Sequence, residues 1–488
     1  MAKNGLKNKV FSGLAWSFGE RILSQGVSFL ISVILARLLL PEQYGIVTMV
    51  LVFINIANVF VTNGFGEALI QKKDATDDDF STIFFFSMGT AVVLYIVLFF
   101  AAPFIADFYA APELTSVLRV LAVQLLFAGI NTIQRAHVQK HMQFRKFFFS
   151  SLWGTASSGI VGIILAYNGL GIWALVAQYL VNTIVNTFVL FATVTWKPKL
   201  VFSRTSAKEL ISNAVKLMGA SLINTVYNEL RSLIIGKQYS TSDLAFYNKG
   251  NYIPSLAITN VNSSISTVAF PAMATARDDK AKMKNYGKRA MKTSAFIIFP
   301  AMAGLMAVGN SLIGIMLTDK WLPCVPFLYW GCLYWACQPI QTTNWQIIKA
   351  VGRSDLCFKL EIVKKIIGVI LIVVSLPFGV MALAASNALF AFISMLINIM
   401  PNKRLIDYSF KEQFMDLFPS FISAVIMGVL VYLLGLLPLH RLILLIVQVL
   451  AGVAIYVFLS WILKNDSLTY ILDAIKPMLK KGKLHGNS

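Results

Sequence analysis

Charged side chains are scarce in this sequence. They make up 13% of its 488 residues, whereas about a quarter of the residues in a soluble globular protein are charged. Hydrophobic residues make up 57%, and they include 36 phenylalanines and nine tryptophans. This composition excludes ordinary soluble, disordered and collagen-like proteins. It predicts an integral membrane protein, because aromatic rings suit both the lipid core and its interfaces.

Sequence signatures of catalysis and metal binding are also missing. The chain has no Walker A, H-E-x-x-H or G-x-S-x-G sequence. His137 and His141 would share a helical face, but no third ligand for a zinc site accompanies them. The four cysteines lack the spacing of a disulfide framework or a zinc site, and they are Cys324, Cys332, Cys337 and Cys357. We therefore expect a transporter rather than an enzyme, with neither a metal nor a cofactor.

Fourteen apolar stretches are long enough to cross a bilayer, which takes about 20 helical residues. They lie at residues 13–39, 45–70, 80–106, 115–136, 148–167, 172–195, 209–236, 244–276, 293–317, 323–351, 360–376, 380–400, 417–436 and 442–463. Two of them, 244–276 and 323–351, are longer than a span requires and hold Pro254, Pro271, Pro326 and Pro339, so we expect them to bend. The predicted fold class is an all-α integral membrane protein with 14 transmembrane helices.

Outside the predicted spans, lysine and arginine lie almost entirely on one predicted side of the membrane. With the N-terminus inside, the inside segments hold 29 of these residues and the outside loops hold only Lys237, Lys320 and Arg441. This asymmetry follows the positive-inside rule and predicts that both termini are cytoplasmic. The formal net charge of +20 then reflects topology, and no nucleic acid partner is expected. We expect the basic run 277–289 to be a solvated loop, with contact to anionic lipid headgroups as the alternative.

The sequence repeats itself weakly in three places. ILARLLLPEQYG (34–45) aligns with IIGKQYSTSDLA (234–245), RAHVQKHMQFRK (135–146) with KAVGRSDLCFK (349–359), and GLGIWALVA (169–177) with PFGVMALAA (377–385). All three pairs keep the same order and the same side of the membrane. We therefore expect two parallel six-helix lobes, 1–200 and 201–400, and an appendage, 401–488, that carries the last two spans. Such repeats place a substrate path between the lobes and allow alternating access.

Several segments resemble one branch of the multidrug/oligosaccharidyl-lipid/polysaccharide (MOP) flippase superfamily, the polysaccharide transporter or oligosaccharide flippase family. The most specific are LARLLLPEQYGIV (35–47) and GFGEALIQKKDATDDDFSTIFFF (64–86). Four others add to the resemblance: GIWALVAQ (171–178), NELRSLIIGKQYSTSDLAFYNKG (228–250), VAFPAMATARDD (268–279) and KAVGRSDLCFK (349–359). The sequence departs from many relatives at TSDLA (241–245), where they have a glycine at the end of the turn. The resemblance covers roughly residues 10–400.

The resemblance implies a V-shaped transporter in a bacterial inner or plasma membrane. It implies that undecaprenyl-diphosphate-linked oligosaccharide moves from the cytoplasmic to the outer leaflet, for the synthesis of lipopolysaccharide, capsule or exopolysaccharide. Expected partners are this lipid-linked oligosaccharide, membrane lipids, and the polysaccharide polymerase and glycosyltransferases of the same route. The absence of an ATPase sequence suggests that a proton or sodium gradient drives the movement.

Charged residues inside the predicted spans are the first candidates for the substrate site. A charge at the centre of a lipid-facing helix costs about 3 kcal/mol or more, so such residues normally face protein or a water-filled cavity. The candidate cations for the diphosphate are Arg21, Arg37, Arg231 and Lys249, and the candidate coupling carboxylates are Glu20, Glu67 and Glu229. Structural ion pairs remain an alternative for these charges, and Arg37, near a span end, would equally suit a snorkelling side chain.

Amides and tyrosines in the same spans are the second group of candidates. Those predicted to bind sugar hydroxyls are Asn58, Asn224, Asn228, Asn251 and Tyr252. Asn224 and Asn228 are four residues apart and share a helical face. Hydrogen bonds between helices would explain the same residues, and the sequence leaves both interpretations open.

Three other functions fit parts of the sequence. A multidrug or metabolite exporter of the same superfamily would favour an apolar or acidic cavity for cationic drugs, which the basic excess does not suit. A flippase for peptidoglycan precursors would share fourteen spans. A membrane glycan polymerase or ligase usually needs a substantial outer loop, and the longest outer loop here is 107–114.

Overall fold

The described part of the chain is built from helices joined by short turns. The computed structural model describes residues 19, 23–62, 64–72, 74–201, 203–264, 267, 269–470 and 473. Nine helical stretches within these ranges are long and apolar enough to cross a membrane. The chain is therefore an all-α, multi-pass membrane protein, as its composition predicts.

Within the described residues, each of the fourteen predicted stretches falls on one helix or on two consecutive helices, and most of residues 13–22 of the first stretch lies outside them. In chain order the helices are α1 (Leu23–Leu38), α2 (Pro41–Thr62), α3 (Phe65–Gln71), α4 (Asp77–Tyr109), α5 (Glu113–Leu121), α6 (Gln124–Lys140), α7 (Arg145–Tyr167), α8 (Ile172–Thr193), α9 (Arg204–Gln238), α10 (Thr241–Ser264), α11 (Phe270–Thr275), α12 (Lys280–Leu317), α13 (Val325–Ala336), α14 (Gln338–Ala350), α15 (Ser354–Ser375), α16 (Val380–Ile406), α17 (Phe410–Leu434) and α18 (Arg441–Ile462).

Polar side chains fix the first turn of several helices. The first N–H groups of a helix have no partner within it, so a side chain that accepts a hydrogen bond there stabilises the helix start. At α4 the side chain of Thr76 accepts from the N–H of Asp79, and the Asp79 carboxylate accepts from the N–H of Thr76. Ser409 and Glu412 form the same reciprocal pair at α17.

In the two overlong stretches, Pro271, Pro326 and Pro339 lie where a helix begins. Residues 323–351 divide into α13 and α14 at Cys337, and Pro326 and Pro339 lie in the first turns of these helices. In the stretch 244–276, Pro271 lies in the first turn of α11, whereas Pro254 lies inside α10. Proline suits a first turn because it lacks the N–H that would have no partner there.

A glycine rather than a proline separates α2 from α3. Gly64 has a φ angle of +96°, a conformation that side chains other than glycine rarely adopt. A Cβ at this position would lie 2.5 Å from the carbonyl oxygen of Ala214 in α9. The turn therefore lets the chain approach the α9 backbone closely between α2 and α3.

The chain divides into two compact units, Met1–Ala245 and Phe246–Ser488. In the first unit, α9 packs on α2, α3 and α4, and α7 packs along α8. One of its aromatic clusters surrounds Trp196, which contacts Phe80 and Phe84 of α4. In the second unit, α12 packs against α13, α17 and α18, and its core includes Phe296 and Tyr456.

The basic run expected to be a solvated loop is largely helical. Asp279 caps α12 by accepting a hydrogen bond from the N–H of Lys282, so the helix starts within the run. Three lysines spaced four residues apart on α12 then pair with carboxylates of the second unit. The pairs are Lys284–Glu412 at 2.9 Å, Lys288–Asp416 at 2.7 Å and Lys292–Asp466 at 2.7 Å. These contacts tie α12 to α17 and to the residues after α18.

Candidate functional site

The predicted site residues fall in both units. Glu20 and Arg21 lie outside the described residues. The first unit carries Arg37, Asn58, Glu67, Asn224, Asn228, Glu229 and Arg231, and the second carries Lys249, Asn251 and Tyr252.

A hydrogen bond between α2 and α9 lies at the centre of the candidate site. Asn55 Nδ2 donates to Glu229 Oε1 at 3.0 Å. Asn55 lies about 21 Å along α2 from Pro41, and Glu229 about 14 Å before Gln238, at 1.5 Å per helical residue. Both distances are within the hydrocarbon thickness of about 30 Å. The carboxylate of Glu229 is therefore held by an amide at a depth where a charge needs a polar neighbour.

Further amides extend this polar surface along both helices. Asn58 lies one turn beyond Asn55 on α2, and its Oδ1 accepts no hydrogen bond from the described residues. Asn224 and Asn228 are exposed and lie one turn apart on α9. An amide exposed to hydrocarbon would lose its hydrogen bonds to water at a cost of several kcal/mol. We name Asn55, Asn58, Asn224, Asn228 and Glu229 the amide face.

The remaining predicted residues of the first unit are Arg231, Arg37 and Glu67, which we do not include in the amide face. Arg231 is buried, with 6% of its surface exposed, so it adds positive charge inside the unit rather than at its surface. Arg37 is exposed in the last turn of α1, a position that suits a snorkelling side chain. Glu67 is exposed on α3, beyond the turn at Gly64.

In the second unit the predicted residues of α10 make packing contacts. Lys249 is buried, and its Nζ lies 5.6 Å from the centroid of the Trp321 ring, within the range of a cation–π interaction. Asn251 Nδ2 donates to the carbonyl of Tyr247 at 3.0 Å. A Cβ on Gly331 of α13 would lie 3.0 Å from Asn251 Oδ1, so the two helices approach closely there. Tyr252 is half-buried.

A large apolar cavity, which the sequence did not reveal, lies within the second unit. It measures about 860 Å³ and is lined mainly by α13, α15, α16 and α17. Four phenylalanines of α17 form one wall, and they are Phe410, Phe414, Phe418 and Phe421. Its lining on α16 extends from Ala382 to Ile399, which is about 26 Å along a helix. We name this cavity the phenylalanine groove, and its length approaches the hydrocarbon thickness of a bilayer.

Comparison with known proteins identifies relatives across most of the chain. Residues 34–326, more than half of the chain, match the model of a family described as polysaccharide biosynthesis protein. The chain is 25% identical over 442 residues to WzxC, a lipopolysaccharide biosynthesis protein of Escherichia coli K12, with 88% of each chain covered. It is 26% identical over 306 residues to TuaB, a teichuronic acid biosynthesis protein of Bacillus subtilis 168, with 62% of this chain and 63% of TuaB covered.

The fold has a solved counterpart. A structure of the lipid II flippase MurJ in an inward closed conformation matches with a TM-score of 0.74 at 17% identity, over 93% of this chain and 99% of that one. A likeness at this identity concerns the fold alone. Together with the family match, it confirms the resemblance that the sequence segments indicated.

Proposed function

The chain belongs to the polysaccharide biosynthesis protein family, and we propose that it is a flippase for undecaprenyl-diphosphate-linked oligosaccharide. It would move this lipid from the cytoplasmic to the outer leaflet of a bacterial plasma membrane. WzxC and TuaB are named for the biosynthesis of two different polymers, which supports a role in polysaccharide synthesis. The proposal specifies the class of substrate but not the identity of its glycan.

The proposed architecture has fourteen spans, with both termini in the cytoplasm. Two six-helix lobes provide alternating access, and the last two spans form an appendage. The coincidence of the described part of every predicted stretch with a helix or helix pair supports this count. The concentration of lysine and arginine in alternate segments supports the orientation.

The amide face is the observation that carries the proposed function. A diphosphate-sugar headgroup cannot cross hydrocarbon unaided, because its charges and hydroxyls would lose their water without gaining partners. Asn224 and Asn228 present amides at hydrocarbon depth, and an amide can both donate to and accept from a sugar hydroxyl. Arg231 in the same unit, together with Arg21 and Arg37, would supply positive charge for the diphosphate.

The polyprenyl tail needs a different environment from the headgroup. We propose that the phenylalanine groove holds part of this tail while the headgroup moves. Its apolar lining along α16 and α17 supports this assignment, since burial of apolar surface stabilises a bound chain. The tail can then stay at hydrocarbon depth throughout the movement.

Movement against a gradient requires an energy source, and we propose that Glu229 couples it to protons or sodium. This carboxylate lies at hydrocarbon depth and accepts a hydrogen bond from Asn55. Binding of a cation there would neutralise a charge that is costly at this depth. Glu20 and Glu67 are the other carboxylates proposed for coupling.

The proposed function is tested by deleting the gene and extracting the lipid-linked sugars. Complete oligosaccharide units should accumulate on the cytoplasmic leaflet, and the intact gene should clear them. A gene carrying Asn224→Leu and Asn228→Leu should fail to clear them at normal protein abundance. Asn168→Leu is the matched control, because Asn168 is an exposed amide directly after α7 and lies outside the amide face.

Other outcomes would point to the rival functions. An unchanged lipid pool with altered drug tolerance would favour an exporter. An accumulation of single units on the outer leaflet would favour a polymerase. Full clearance by the double leucine variant would show that the amide face does not bind the headgroup.

A further inference from the structure

The first turns of α12 project beyond the hydrocarbon. The helix has 38 residues, which makes it about 57 Å long, whereas a bilayer with its headgroups is about 40–45 Å thick. Measured back from Leu317, Ile297 lies at about 30 Å and Arg289 at about 42 Å. Ile297 is therefore at the edge of the hydrocarbon, and Arg289 is at headgroup depth on the lysine-rich side.

Arg289 is arranged differently from the lysines beside it. Lys288 and Lys292 each pair with a carboxylate at 2.7 Å. The Arg289 guanidinium instead lies 3.7 Å from the centroid of the Tyr470 ring, and no carboxylate of the described ranges lies within ion-pair distance of it. Stacking on a ring holds the guanidinium plane in place while its edge remains available for hydrogen bonds.

A polar cavity opens on one side of this stacked pair. It measures about 310 Å³, and its lining includes Asn285 and Ser467 in addition to Arg289 and Tyr470. The ion pair of Lys292 with Asp466 also lines it, so Arg289 is the cation there that no carboxylate in the described part of the chain neutralises. Amide, hydroxyl and ammonium groups can all donate hydrogen bonds to an anion. The cavity is therefore suited to a phosphate group that Arg289 binds with two parallel hydrogen bonds.

An apolar cavity opens on the other side of the same pair. It measures about 350 Å³, and its lining includes Val261, Ala272 and Ile297 as well as Arg289 and Tyr470. Because Ile297 lies at the edge of the hydrocarbon, this cavity extends from headgroup depth toward the acyl chains. A ligand that occupied both cavities would need a polar anionic end and an apolar end.

We propose that the two cavities form a binding site for one anionic phospholipid. Its phosphodiester binds to Arg289 in the polar cavity, and the start of one acyl chain packs against Ile297 in the apolar cavity. Basic groups on the cytoplasmic side of a membrane are attracted to anionic lipids, which agrees with the lysine-rich end of α12. The bound lipid would hold Tyr470, and with it the segment after α18, against α12.

The test is native mass spectrometry of the purified full-length chain in detergent, with phosphatidylglycerol or phosphatidylcholine added. The wild type should bind phosphatidylglycerol in preference to phosphatidylcholine. Arg289→Gln should weaken this binding at least about tenfold, because it removes a charge-assisted pair of hydrogen bonds. Arg404→Gln is the matched control, since Arg404 is an exposed arginine on the same predicted side of the membrane and should leave the binding unchanged.

Two further measurements keep the test decisive. Tyr470→Leu removes the ring beneath the guanidinium and should weaken binding too, and it replaces Arg289→Gln if that variant does not fold. Inorganic phosphate should not displace the lipid, because it has no apolar end. Displacement by phosphate, equal binding of phosphatidylcholine, or undiminished binding by both variants would each overturn the phospholipid site.

Discussion

At the scale of single residues, Glu229 is the carboxylate most directly placed for coupling. Glu229→Gln keeps an oxygen that can accept from Asn55 Nδ2 but removes the negative charge. We expect the rate of substrate clearance in cells to fall at least about tenfold with protein abundance unchanged. This corresponds to an increase of about 1.4 kcal/mol in the activation free energy of the rate-limiting step. The measurement is the rate at which accumulated lipid-linked oligosaccharide is cleared after induction of the variant.

Glu113→Gln is the control for that experiment. Glu113 is exposed in the first turn of α5 and lies outside the amide face. It should therefore clear the substrate at the wild-type rate. Equal clearance rates for both variants would show that Glu229 does not take part in coupling. They would not contradict the proposed substrate.

A second residue-scale prediction concerns the contact between the first turns of α2 and α10. A Cβ on Gly45 would lie 1.9 Å from the carbonyl oxygen of Thr241, and the backbone there cannot rotate away as a side chain can. Next to it, Ser242 Oγ donates to Glu42 at 2.6 Å. Gly45→Ala should separate these turns and cost about 1–3 kcal/mol. The expected readout is a lower midpoint of thermal unfolding in detergent, followed by tryptophan fluorescence.

The control is Gly89→Ala, because no atom lies within 4 Å of a Cβ at Gly89. Alanine is a better helix former than glycine by about 1 kcal/mol, so this variant should unfold at the same or a higher temperature. A Gly45→Ala protein as stable as the wild type would mean that α2 and α10 are not in close contact.

The polarity of single residues was predictable from the sequence, but their contacts were not. An asparagine or glutamate within an apolar stretch is conspicuous, so Glu229 and Asn224 could be named as candidate site residues from the sequence alone. The partner of Lys249 was missed, because Trp321 lies on a distant segment and one tryptophan among apolar residues carries no signal. The contact between Arg289 and Tyr470 was likewise not predictable, because the two residues are far apart in the sequence and only the fold brings them together.

At the scale of helices, α12 and α17 offer a direct test of their docking. Asp416 is largely buried and accepts hydrogen bonds from both Lys288 and Tyr408. Asp416→Lys would place two ammonium groups together and leave the tyrosine hydroxyl without this acceptor, at a cost of about 1–3 kcal/mol. We expect faster protease cleavage between α16 and α17 in the variant, measured in detergent at neutral pH.

The charge-reversed pair distinguishes the ion pair from general damage. Combining Asp416→Lys with Lys288→Asp restores opposite charges, so cleavage should slow again, though not fully because Tyr408 loses its carboxylate partner. A double variant cleaved as fast as the single one would show that the pair does not hold α17 in place.

Helix positions followed from hydropathy because an apolar stretch in lipid must satisfy its own backbone hydrogen bonds. The helix starts at Pro326 and Pro339 were also predictable, because proline lacks a backbone N–H and disrupts a continuous helix. The turn at Gly64 could not be predicted, because it depends on the approach of α9. The extension of α12 was also missed, since lysines typical of a solvated loop are equally compatible with a helix whose partners lie on α17.

At the scale of the whole chain, the sequence predicts sidedness more sharply than it predicts packing. The charge asymmetry counts residues and needs no contacts. Packing instead groups α9 with α2, α3 and α4 in the first unit, and no local pattern in the sequence specifies such partners. Sidedness is therefore the whole-chain property that a single experiment can test most directly.

Substituted cysteines and a membrane-impermeant maleimide provide that test. Glu113→Cys lies in the longest predicted outer loop, 107–114, and Asp278→Cys lies between α11 and α12 on the lysine-rich side. Glu113→Cys should react in intact cells, whereas Asp278→Cys should react only after the membrane is opened. The wild-type chain measures the background labelling, which should be low because three of its four cysteines are buried. The reverse pattern would invert the orientation, and it would place the lysine-rich end of α12 and the proposed phospholipid at the outer leaflet.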